Sequence, residues 1–140
     1  MRNFIKLLTL CVLACSIFGC SSGLDINAAQ VEIYNFHKLM DDGAYSQIYE
    51  NASSILKGQG TKSQTLEIIS EIKNKLGKYK EIKFTGWRTH EASWGSAAYI
   101  TLTYDVICEH GKGIETFQIV NENGKMRIAS YNMASDDFFK

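Results

Sequence analysis

The sequence predicts an α+β domain in which three helices precede a four-stranded antiparallel sheet. Three observations carry this. Apolar side chains recur at helical spacing from residue 26 to residue 76. Beyond Gly77 the pattern changes to alternation, strictest from Ala98 to Val106. Asn123-Gly124 then marks a two-residue hairpin between the last two apolar runs. Helices first and strands afterwards imply helices packed on one face of the sheet.

In chain order, the first segment stands apart from this domain. Arg2 and Lys6 precede an almost unbroken apolar run from Leu7 to Phe18, and Gly19 supplies a small residue before Cys20. This is the order of a secretory signal. The run is about 12 residues, well short of the ~20 that span a bilayer. Ile17-Phe18-Gly19-Cys20 resembles the lipobox of bacterial lipoproteins, which implies cleavage between Gly19 and Cys20 and acylation of Cys20. Ser21 after that cysteine, rather than Asp, implies by the same resemblance the outer membrane if the cell is Gram-negative. The expected organisation is a signal peptide over 1–19, a lipidated N-terminus and short linker over 20–24, and one domain over 25–140. Two or more acyl chains anchor a protein stably where one does not.

The leader leaves 121 of the 140 residues, one domain by size and enough for a core without staples. Without Arg2 and Lys6 the 15 basic side chains fall to 13, against 15 acidic, a net charge of −2. That balance offers no basic surplus for nucleic acid. Of four cysteines, Cys11 and Cys15 leave with the leader and Cys20 carries lipid, so Cys108 has no partner for an intramolecular disulfide. A lone cysteine in an apolar strand reads as a small buried hydrophobe.

The elements follow in order. Asp25 is placed to cap a helix over 26–40, with Ala29, Ile33, Phe36 and Met40 on its stripe and Val31, Tyr34 and Leu39 widening it. Asp41-Asp42-Gly43 ends it. A second helix is expected over 44–56, with Tyr45, Ile48, Tyr49 and Ala52 on one face. Gly58-Gln59-Gly60 breaks the chain. Thr61 with Gln64 forms a capping box for a third helix, aligned on Leu66, Ile69, Ile72 and Leu76 and stopped by Gly77. Strands are expected over 80–89, 98–106, 114–120 and 125–133. The tail from Asp136 to Lys140 is expected to fray.

The segment from Tyr45 to Ser53, Lys75-Leu76-Gly77, Glu115-Thr116-Phe117 and the run from Asn123 to Tyr131 resemble an uncharacterised family of bacterial envelope proteins. With three helices followed by four long strands, the chain also resembles the nuclear-transport-factor-two-like fold of the cystatin-like superfamily. The resemblance covers about residues 30–134 and departs from the family pattern at Met126 and Ser130. It implies a curved sheet that makes a cone with the helices. It brings no activity with it.

Enzymes on this fold class place an Asp, or an Asp with a His, inside the cone as general base. Here His37, His90, His110 and Asp105 are available, but alternation turns Asp105 outward and no Asp–His pair is forced inward. Cys108 and His110 are two apart, which in a strand would put both on one face. Two ligands are too few for a structural zinc. No catalytic residue, metal or cofactor is therefore expected. Asn51-Ala52-Ser53 matches a glycosylation sequon but means little in a bacterium. The aromatic residues are the better guide. Trp87 and Trp94 flank the first strand turn, and Trp87, Tyr104 and Tyr131 are the ligand-binding candidates, expected at the mouth between the first helix and the sheet. The expected protein is non-enzymatic and held to the envelope membrane by lipid on Cys20. It would bind an envelope protein or, alternatively, carry a small apolar ligand.

Overall fold

The computed structural model describes residues 23–139. The lipidation and cleavage expectations at Gly19 and Cys20 lie outside the described residues. Four α-helices precede four strands: α1 (Ile26–Asp41), α2 (Tyr45–Asn51), α3 (Ser54–Gly58), α4 (Lys62–Leu76), β1 (Tyr79–His90), β2 (Tyr99–Cys108), β3 (Lys112–Glu122) and β4 (Lys125–Ala134). The strands form one antiparallel sheet in the order β1-β2-β3-β4, so the fold is α+β with helices packed on a four-stranded antiparallel sheet.

The local signals explain most boundaries. The Asp25 side chain accepts hydrogen bonds from the Asn27 and Ala28 amides and starts α1. Thr61 and Gln64 make a full capping box at α4, and the Gly77 amide closes that helix on the Lys73 carbonyl. Asn123 and Gly124 both have positive φ, 53° and 81°, as a tight turn matched to strand twist requires. The expected second helix is two helices. Ala52 and Ser53 are extended between them, the Ser53 amide bonds the Ile128 carbonyl, and the Ser53 hydroxyl caps α3. A tertiary contact from β4 thus splits what apolar spacing reads as continuous. The tail also departs from expectation. Asp136–Phe139 forms a 3-10 turn, and Phe138 packs against the core.

The core lies between the helices and the inner face of the sheet. Ala29, Ile33, Phe36 and Met40 of α1 are buried as their spacing predicts, whereas Val31 and Tyr34 are 60% and 69% exposed. Ile100, Leu102, Tyr104 and Val106 of β2 face Ile119, Phe117 and Glu115 of β3 on the same side. Both edge strands carry an extra residue that changes which side chains face inward. In β1, Phe84 pairs with Tyr104 and Gly86 with Thr103, leaving Thr85 as the bulge. In β4, Ser130 pairs with Gln118 and Ile128 with Ile119, leaving Ala129 as the bulge. Each bulge reverses the alternation, so Trp87 and Tyr131 both face the helix side of the sheet.

The two edges are not covered alike. α1 and α3 pack on β4, and α2 packs on α4. The free edge of β4 is bonded as well, since Ser53 donates to the Ile128 carbonyl and Gln59 to that of Ala129. β1 is held at its first residue, where Asp41 accepts from the Tyr79 amide. Beyond it, Ile82, Phe84 and Trp87 remain 40%, 38% and 55% exposed on the inner face.

Candidate functional site

Four side chains that the sequence scatters over 95 positions meet under α1. His37 lies on α1 one turn after Ile33, and Glu115 lies on β3 two residues before Phe117. Helical spacing and strand alternation point both into the core. Glu115 is fully buried and His37 nearly so. The His37 Nε2 stands 2.6 Å from the Glu115 Oε2. The other carboxyl oxygen, Oε1, accepts from the Tyr79 hydroxyl at 2.5 Å and from the Tyr131 hydroxyl at 2.9 Å. A buried carboxyl without partners costs several kcal/mol, and here both oxygens are occupied. Among the described residues no buried side-chain nitrogen or oxygen lacks a partner.

Rings enclose this cluster. His37 meets the edges of Tyr79, Phe117 and Tyr104 at 4.8, 5.7 and 5.8 Å. The environment keeps the phenols protonated. Burial, then the neighbouring Tyr131 and Glu115, raise the pKa of Tyr79 far above the usual tyrosine range. Burial and Glu115 do the same to Tyr131. Tyr104 is pushed up to about 12 by burial and then by Glu115. The same two causes push the Cys108 thiol up to about 11, which makes it inert as a nucleophile.

Beside the cluster lies an apolar cleft of about 460 Å³ between α2–α4 and β4. Its floor is Phe36, Ile48, Ile69, Ile128 and Tyr131. Its rim is polar, with Gln59, Gln64 and Glu67. Tyr131 therefore has two roles: its ring lines the cleft and its hydroxyl holds Glu115. A wider depression of about 870 Å³ lies at the far end of the sheet, around Ile107, Ile114 and Asp137. It has no aromatic lining and includes the exposed Ile107 and Ile114.

The three aromatic candidates do not converge. Tyr131 lines the cleft, Tyr104 is core packed 5.3 Å from Phe84, and Trp87 stands exposed on β1. The cleft opens beside α2–α4 rather than at the expected mouth between the first helix and the sheet; Phe36 is the residue of α1 that lines it. Asp105 is exposed on the outer face, as alternation predicts. His90 stacks on Tyr99 at 4.3 Å. Cys108 and His110 do not share a strand face. β2 ends at Cys108, whose thiol is buried, and His110 sits exposed in the following turn. Among the described residues no group of three or more His, Cys, Asp or Glu is placed to hold a metal. Glu115 is not among the expected site residues although its signal is in the chain: it alternates with the apolar Phe117 and Ile119.

Fold and site thus define a small α+β domain with an apolar cleft and a satisfied buried His–Glu–Tyr cluster. Residues 34–131 match the family described as "Protein of unknown function (DUF4019)", and the chain belongs to that family. No curated protein matches the chain.

Proposed function

We propose that this protein is a non-enzymatic binding domain of the bacterial cell envelope, tethered by lipid on Cys20, that carries a small, largely apolar ligand in the cleft floored by Phe36, Ile128 and Tyr131. The observation that carries this reading is the cleft, whose volume falls in the 300–1,000 Å³ typical of ligand sites. Its apolar floor and polar rim suit a ligand with a hydrophobic body and a polar end. The leader and the stretch Ile17-Phe18-Gly19-Cys20 support the tether, with the domain facing the periplasm from the outer membrane. Among the described residues no helix is long and apolar enough to cross a membrane.

The His37–Glu115 pair favours a second reading, proton-transfer catalysis, less well. A general base must come within about 3 Å of the proton it takes, yet both Glu115 oxygens are filled by protein partners and neither residue lines the cleft. The cluster reads as the device that fixes the cleft floor.

The test uses N-phenyl-1-naphthylamine as a fluorescent apolar probe. Ile68 lines the cleft yet is 59% exposed, so Ile68→Asp places a charge there without disturbing the core. Probe affinity should fall at least about tenfold, since 1.4 kcal/mol is a factor of ten. Trp87→Ala should leave it unchanged. Equal affinity in the Ile68→Asp protein rules the cleft out as the site. For the tether, Cys20→Ser should abolish palmitate labelling.

A further inference from the structure

We infer that the end of the domain carrying the β1–β2 and β3–β4 turns lies against the bilayer, with Trp94 inserted at head-group level. The inference rests on the lipid tether proposed above. What carries it is the position of Trp94 relative to the point where the chain enters the domain.

The chain enters at Gly23, whose carbonyl accepts from the Asn121 side chain at 2.5 Å, and Leu24 packs against the core. Part of the expected linker therefore belongs to the domain. Only Ser21 and Ser22 separate Cys20 from that fixed point, a reach of about 10 Å at ~3.5 Å per residue. Asn121 lies at the end of β3 that leads into the Asn123–Gly124 turn. In an antiparallel meander, alternate turns share one end of the sheet. The 91–98 loop joining β1 to β2 is thus at the same end, growing from the rung His90–Tyr99–Val120–Arg127. Trp94 lies four residues beyond His90, a reach of at most about 14 Å. Lipid and tryptophan extend from one end of the domain by similar distances.

The loop is built to present that ring. Ser93 to Ser96 close a turn through the Ser96 amide on the Ser93 carbonyl at 2.9 Å, reinforced by their hydroxyls at 2.8 Å. Gly95 takes φ +81°, the conformation a turn of this kind needs at its third position. Trp94 at the tip is fully exposed and touches no core residue. A wholly solvated tryptophan is unfavourable in water but suits the membrane interface, where its ring is apolar and its N–H is wet. Charge adds little at this end: the loop carries Glu91, and at the hairpin Glu122 stands opposite Lys125. The contact should therefore be insensitive to salt.

The experiment uses the full lipidated protein in phosphatidylethanolamine–phosphatidylglycerol vesicles containing brominated phosphatidylcholine as a depth-limited quencher. The chain has two tryptophans, so Trp87→Phe leaves Trp94 as the sole reporter and Trp94→Phe leaves Trp87. With Trp94 alone, emission should shift to the blue and lose at least about half its intensity to the bromolipid, at low and high salt alike. With Trp87 alone, quenching should be at most a few per cent. Trp94 emission quenched by aqueous iodide and untouched by bromolipid overturns the inference. Intact mass read on the same sample separates the two failures. An unmodified Cys20 refutes the tether and the inference with it, whereas a lipidated Cys20 with a solvated Trp94 refutes the insertion alone.

Discussion

The two edge strands of the sheet receive the same local device and meet different ends. Each carries a mid-strand bulge, at Thr85 in β1, which has a further register shift between Tyr79 and Glu81, and at Ala129 in β4, and each mid-strand bulge turns an aromatic residue to the helix side. On β4, Tyr131 is met by Phe36 at 4.7 Å and Phe117 at 5.1 Å, and its hydroxyl reaches Glu115. On β1, Trp87 is left 55% exposed beside Phe84 and Ile82. The bulge decides which face a side chain takes. Whether that face becomes core or surface depends on where the helices lie, and α1 and α3 lie over β4.

The sharpest way to break this comparison is Glu115→Ala. It strips the partner from His37, Tyr79 and Tyr131 at once, and removing one member of a buried charged cluster costs about 3–5 kcal/mol. Urea unfolding should show that loss, and a change below about 1 kcal/mol would mean the cluster is wet and loose. A paired substitution sharpens the contrast between the two edges. Phe117→Ala should cost about 3–5 kcal/mol by leaving a core cavity, while Phe84→Ala, on the uncovered side, should cost at most about 1 kcal/mol. Similar losses would show that β1 is covered in solution.

The remaining effect is alkaline destabilisation. Tyr79, Tyr104 and Tyr131 all have folded pKa values raised above that of a free phenol, so each favours the folded state in its neutral form. Their contribution is present in full below pH 10 and is lost as the pH rises through the folded values, about 12 for Tyr104. The urea midpoint should hold from pH 8 to pH 9.5 and fall between pH 10 and pH 12. A flat midpoint over that upper range would show the phenols to be solvated in the folded protein.

Much of this contrast was legible in the chain, but not evenly. The stripe of α1, the capping box at Thr61 and the Asn123–Gly124 turn all act within four residues, so local spacing reveals them. The bulges at Thr85 and Ala129 leave no comparable mark, because an extra residue in a strand shows only against its partner's register. Glu115 stood in plain alternation with Phe117, yet a carboxylate on an apolar face is believable only once its donors are known. Those donors come from α1, β1 and β4.

By itself the sequence determined the α+β order, the helix caps, the hairpin and the inward faces of β2 and β3, because hydrogen-bond geometry and side-chain period fix these over short distances. Only the tertiary structure decided that the segment 44–56 breaks at Ser53, that Glu115 joins His37 and two tyrosines, and that one sheet edge is roofed and the other bare. Those outcomes depend on which distant backbone and side-chain groups arrive to satisfy buried polar atoms, and no local pattern encodes that arrival.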